Sequence, residues 1–259
     1  MASKNVYRCL VFFSLIDVLL ISLFSNSLSI FAQVERLFPT ESICGKFIRG
    51  NFTLTKDIIC KGIDGPIAVG DNAIINLNGH SITGTGKSSG WVGVPVSHSN
   101  NVFINGPGSI NNFQEGILTT GSRNTQVNNI TFENNKIAVF VNNGSATIIN
   151  NSMSSNTIGI ASHSASSILI SANLMTDNNL AGVSLVNSTN SHIEGNVIIG
   201  GGGNGIFLDS DSTSNAINDN KLQKNKIDIN NADGLSPKIN HNEFFNNDCK
   251  VSDPVGNCN

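Results

Sequence analysis

The sequence predicts an all-β solenoid, a parallel β-helix with coils of about 22–24 residues, and three observations predict it. Asn recurs as the opening residue of a unit at Asn129, Asn151, Asn173, Asn196, Asn220 and Asn242, and in the first five an aliphatic or Met153 follows one or two places later. A second line of positions, just before an apolar strand, runs through Gly116, Ala138, Gly159, Gly182, Gly205 and Asp228. Each coil then carries three short apolar strands. Parallel strands joined by helices would need crossovers of ten or more residues, and none fits between these strands.

The repeated Asn has a physical reason. A solenoid turns its corner at the same height in every coil. An Asn there bonds backbone amides left free by the turn, bonds the Asn one coil above, and tolerates the left-handed conformation that corners use. The repeated Asn residues therefore read as structure and not as sites.

The N-terminus has a charged, apolar, polar order. Lys4 and Arg8 precede an apolar run from Leu10 to Phe24, and small and polar residues follow to Ala32. This predicts a secretory signal over residues 1–32, with cleavage after Ala32 weakened by the large Ile30. An uncleaved anchor is the alternative, although Asp17 interrupts the run and a carboxylate is costly at mid-bilayer. No transmembrane segment is expected after cleavage. Residues 33–62 read as a disulfide-tied cap, 63–247 as the β-helix and 248–259 as a disulfide-tied tail. An open end of unpaired strands has to be covered.

Four cysteines remain after the signal. An even number outside the cytoplasm points to disulfides, with three pairings available. They fall as one pair near each end, so Cys44–Cys60 and Cys249–Cys258 are the expected bonds. Zinc is disfavoured, because no pair has the close spacing of a knuckle. Five sequons, at Asn51, Asn129, Asn143, Asn150 and Asn187, are candidate glycosylation sites. Asn129 is expected to be internal because it falls on the repeating Asn line.

The formal charge is −3 with no basic stripe, which argues against nucleic acid as a partner. Residues 84–98 form a Gly- and Ser-rich excursion that carries the only tryptophan. Trp91 is expected to pack inward on the next strand; an exposed sugar-stacking position is the functional alternative.

Several segments together carry a resemblance. Cys44-Gly, Asn51-Phe-Thr-Leu-Thr-Lys-Asp-Ile-Ile-Cys60 and Ile75-Asn-Leu-Asn-Gly-His-Ser-Ile-Thr-Gly84, followed by Asn- and Gly-marked coils, resemble the secreted right-handed parallel β-helix repeat proteins. The nearest subgroup is similar to the NosD-like, carbohydrate-binding and sugar-hydrolase β-helix superfamily. The resemblance implies a right-handed, single-stranded β-helix over nearly the whole mature chain, and selects no activity. Copper handling does not carry over, because no Cys, Met and His cluster is present.

Chemistry in a solenoid needs side chains aligned on one face across coils. Asp209, Asp211 and Asp233 fall near one corner in adjoining coils. They read as solvated turn residues, with calcium as the alternative; no other cofactor is expected. Glu194 and Asp219 lie on neighbouring coils, offset by about one position, and form the candidate acid pair for glycoside hydrolysis. Arg123 with Lys136 could face a sugar acid. The favoured function is a secreted or cell-surface β-helix that binds polysaccharide or another surface component without catalysis. The alternative is a calcium-dependent polysaccharide lyase, hydrolase or epimerase.

Overall fold

The computed structural model describes residues 43–62, 66–232 and 241–258. The expected signal 1–32, cap residues 33–42 and Asp233 lie outside the described residues.

The described residues wind into a right-handed parallel β-helix. Three sheets run along it, of ten, nine and eight strands among the described residues, paired in parallel. Sheet A includes Val92–Ser97, Glu115–Thr120, Ile137–Asn142, Ile158–His163, Ala181–Val186, Asn204–Leu208 and Ile227–Asn231. Sheet B includes Thr125–Asn128, Ala146–Ile149, Leu169–Ser171, His192–Glu194 and Ala216–Asn218. Sheet C includes Ser109–Asn111, Thr131–Glu133, Ser152–Ser154, Leu174–Thr176 and Val197–Ile199.

Alternation along each strand sends one set of side chains into the lumen. In sheet A the inward column is Val94, Ile117, Val139, Ile160, Val183, Ile206 and Ile229, in register and without exposure. Ile104, Val127, Ile148, Ile170, Ile193 and Ile217 do the same in sheet B. Phe132, Met153 and Met175 are among the stack of sheet C. Each fully buried aliphatic contributes about 1.5–3 kcal/mol against exposure, so the filled lumen is the main stabilising term.

Buried Asn ladders turn the corners. Between sheets B and C the ladder is Asn151, Asn173, Asn196, Asn220 and Asn247. Each side-chain oxygen accepts from the backbone N–H and side-chain amide of the Asn one coil earlier, from Asn151→Asn173 through to Asn220→Asn247. Between sheets C and A a second ladder runs Asn135, Asn156 and Asn178.

Two of the six leading Asn positions belong elsewhere. Asn129 is exposed at a left-handed corner (φ 58°), and it is Ile130 N–H that donates to Asn151 Oδ1. Asn242 accepts instead from Asn215, at the A–B corner. Asn129 misleads because Asn serves both buried ladders and exposed left-handed corners, and the two positions adjoin in sequence; Asn242 is buried on a different ladder, and the B–C ladder passes instead to Asn247, 27 residues beyond Asn220. Asn129 is therefore not internal, and Asn51, Asn143, Asn150 and Asn187 are exposed as well.

The helix starts within the segment expected to cap it. Phe47–Ile48, Asn51–Thr53 and Ile58–Ile59 already pair with the next coil in all three sheets. Cys44–Cys60 closes this first coil with Cα atoms 5.4 Å apart, and Cys249–Cys258 closes the tail at 5.2 Å. The tail strand Ser252–Asp253 adds to sheet A beside Ile229 and Asn230. Asp228, only 2% exposed, anchors it: Oδ2 accepts from Lys250 N (2.9 Å) and Val251 N (3.1 Å), and Oδ1 from Asn225 Nδ2 (3.0 Å).

Candidate functional site

Sheet A offers the longest outer face. One outward column reads Leu118, Phe140, Ala161, Ser184 and Phe207 in register. Both phenylalanines are half-buried although they point outward, because side chains on successive coils, about 4.8 Å apart, shield one another. The result is a flat, partly apolar ribbon running along the helix axis.

The corner where sheet C passes into sheet A adds polar groups to that ribbon. Gln114 N–H donates to the Trp91 carbonyl (2.9 Å), and Glu115 pairs with Val92 on one side and Ile137 on the other. Trp91, Gln114 and Lys136 therefore occupy one column on three successive coils. Trp91 is 41% exposed, so the inward packing expected from sequence is wrong. Its ring lies against Gly62, where an added Cβ would come within 2.1 Å of the indole nitrogen. A bare backbone from the previous coil gives the indole a seat outside the lumen.

Glu115 was not singled out in the sequence. It is 8% exposed, and its Oε1 accepts from Gln114 Nε2 (3.0 Å). Its register partners Val92 and Ile137 are apolar. The available signal was that mismatch: a carboxylate with an aliphatic at the same position of the coil on either side.

The other candidates fall on different faces. Glu194 points outward from sheet B with Ser171 and Asn218 as its register partners. Asp219 follows Asn218 at a left-handed corner (φ 55°), and its carboxylate accepts from the Asn246 side-chain amide. The pair thus lies on adjoining coils, staggered by one position. Asp209 locks a corner, its Oδ1 accepting from Asn187 N (2.9 Å) and Ser212 Oγ (2.7 Å). Asp211 is exposed, and Asp233 is outside the described residues. Among the described residues no group of three His, Cys, Asp or Glu side chains is placed to hold a metal ion.

Arg123 and Lys136 do not face one sugar. Lys136 precedes the strand Ile137–Asn142, whereas Arg123 follows Glu115–Thr120 at the opposite edge of sheet A. A six-residue strand spans about 20 Å, which separates them. Elsewhere, Ser81 N–H donates to Asp57 Oδ1 (2.8 Å), and with His80 alongside it holds that carboxyl below its ordinary range.

Comparison with known proteins agrees with this architecture. The model of the right handed beta helix region matches residues 115–259, more than half of the chain, and the protein belongs to that family. Among solved structures it is similar to the Dettilon tailspike protein, with a TM-score of 0.57 and 17% identity over 71% of this chain. It spans only 44% of that tailspike chain. It is also similar to a mutant of the periplasmic alginate epimerase AlgG, with a TM-score of 0.51 and 13% identity, covering 80% of this chain and 72% of that one. At these identities the likeness concerns the fold. A search of curated protein sequences finds no significant match.

Proposed function

We propose that the protein engages a polysaccharide outside the cytoplasm, with the glycan lying along the outer face of sheet A and over the Trp91 corner. The observation that carries this reading is the exposed indole of Trp91, seated on Gly62 in one column with Gln114 and Lys136. An aromatic face beside an amide and an ammonium suits a sugar ring, which has an apolar face and a polar rim. The two disulfides and the charged-then-apolar N-terminal segment support export to an oxidising compartment.

A second reading, modification of the polysaccharide, is favoured over binding alone by two observations. One is the fold shared with the alginate epimerase. The other is Glu115, a buried carboxylate on the proposed binding face. Proton transfer to or from a sugar needs such a group, held in place by neighbours. Glu194 with Asp219 is the alternative acid pair, on sheet B. Asp209, Asp211 and Asp233 remain the candidates for calcium.

The test is a glycan-binding and product-analysis panel on the mature protein, run with calcium and with chelator. Binding that falls about tenfold or more in Trp91→Ala supports the sheet A interface. Product that disappears in Glu115→Gln while binding persists supports modification there; loss only in Glu194→Gln moves the chemistry to sheet B. Binding unchanged in Trp91→Ala removes the basis of the proposal.

A further inference from the structure

We propose that a notch at the corner between sheets A and B binds an acidic sugar residue through Arg123. The notch comes from a one-residue shortening of the chain. In one coil the corner takes residues 121–124, between Thr120 and Thr125. In the next it takes only residues 143–145, although Thr120 pairs with Asn142 and Thr125 with Ala146. The following coil returns to the longer corner, since His163 pairs with Asn142 and Leu169 with Thr147.

The short corner cuts inward over Ser122. An added Cβ on Gly144 would lie 2.1 Å from the Ser122 carbonyl oxygen, and Ser145 N–H donates to that same oxygen (3.1 Å). Ser166 N–H in turn donates to Gly144 O (3.0 Å). Arg123 is thereby left without a residue above it in the next coil. The space is a cavity of about 310 Å³, lined by Arg123, Asn143 and Ser145 on one side and Ser164, Ser166 and Ser167 on the other.

The lining chemistry selects an anion that carries further oxygens. Arg123 is exposed and makes no ion pair among the described residues, and no carboxylate lines the cavity. The Ser145 hydroxyl accepts from Asn124 N (3.2 Å) and the Ser164 hydroxyl from Asn187 Nδ2 (3.0 Å), so both keep a proton to donate. A planar guanidinium with hydroxyl donors around it fits a carboxylate or a sulfate ester, and the remaining hydroxyls fit the sugar that bears it. Asn143 also opens the sequon Asn143-Gly-Ser145, so a glycan attached there would occupy the notch. The ligand class rests on the polysaccharide reading above, but the notch lies across sheet A from Trp91.

The test is calorimetric titration of the full mature chain, made in a host without N-glycosylation. The probes are a uronate oligosaccharide, a sulfated oligosaccharide and a neutral one of equal length. At least one acidic probe binds, and Arg123→Gln weakens it about tenfold or more while the neutral probe is unaffected. Arg123→Lys retains part of the affinity, and added salt weakens the acidic probe. Preference between the two acidic probes identifies carboxylate or sulfate. Equal binding of Arg123→Gln and the parent chain, or no binding of either acidic probe, overturns the proposal. Loss of acidic binding in Arg123→Gln but not in Trp91→Ala keeps the notch and removes the Trp91 interface; the reverse pattern does the opposite.

Discussion

Replacing Asn173 by Ala removes the middle of the B–C ladder, and the hydrogen bonds set the size of the effect. Asn173 is 1% exposed. Its Oδ1 accepts from Asn151 N (2.9 Å) and Asn151 Nδ2 (3.0 Å), and its own Nδ2 donates to Ile148 O (2.8 Å) and Asn196 Oδ1 (3.0 Å). Asn151 N–H loses its ladder acceptor, and an orphaned buried donor costs about 1–3 kcal/mol. The three remaining side-chain bonds add less, because Asn151 Nδ2 keeps its bond to Val127 O and Asn196 Oδ1 keeps the Asn173 backbone N–H. The expected loss is about 2–4 kcal/mol, a fall in Tm of roughly 4–16 °C for a chain of this size. The matched control is Asn129→Gly at the exposed left-handed corner, where Gly accepts φ 58° without strain and about 0.5 kcal/mol or less is lost. Thermal unfolding followed by circular dichroism measures both. If the two variants melt within a degree of each other, the separation of buried ladder from exposed corner is wrong.

Three further outcomes follow from single groups. Thr119→Val raises stability by about 1–2 kcal/mol in the same melt, because the fully buried Thr119 Oγ1 has no partner and its register neighbours are Val96 and Val141. Asp228→Ala releases the tail strand, costs about 3 kcal/mol, and speeds tryptic cleavage after Lys250; an unchanged digestion pattern counts against the anchor. The Asp57 carboxyl titrates by NMR with a midpoint below that of an ordinary aspartate, because the Ser81 backbone N–H holds the ionised form, and the Ser81 amide signal follows it. Because the folded value is depressed, its small contribution to stability is present above the unfolded value and fades as pH falls through the folded midpoint.

The period and the inward strands were legible because they rest on one rule, alternation repeated at coil spacing. The disulfides, one at each end, were legible because each closes a short local loop. Other features depend on what the neighbouring coil supplies, and a single coil does not encode that. Trp91 is exposed because Gly62, almost thirty residues earlier, leaves room for its ring on the outside. Glu115 is shielded because Val92 and Ile137 flank it. Arg123 and Lys136 are close in sequence yet part because a whole strand of sheet A lies between their columns. Asn129 and Asn242 show the remaining ambiguity, since one residue type serves exposed left-handed corners and buried ladders at more than one corner of the coil.

The buried ladders also bear on how the molecule comes apart. Each Asn depends on the coil beyond it, so a coil at either end lacks half of its support and an interior coil lacks none. Loss of structure then resembles unravelling from an end, and resistance to it depends on what closes the last coil. Here that closure is Asp228 gripping the tail and Cys249–Cys258 tying it off. Resistance to unravelling is therefore set at the two ends, by that closure and by Cys44–Cys60 across the first coil, and not by the interior coils.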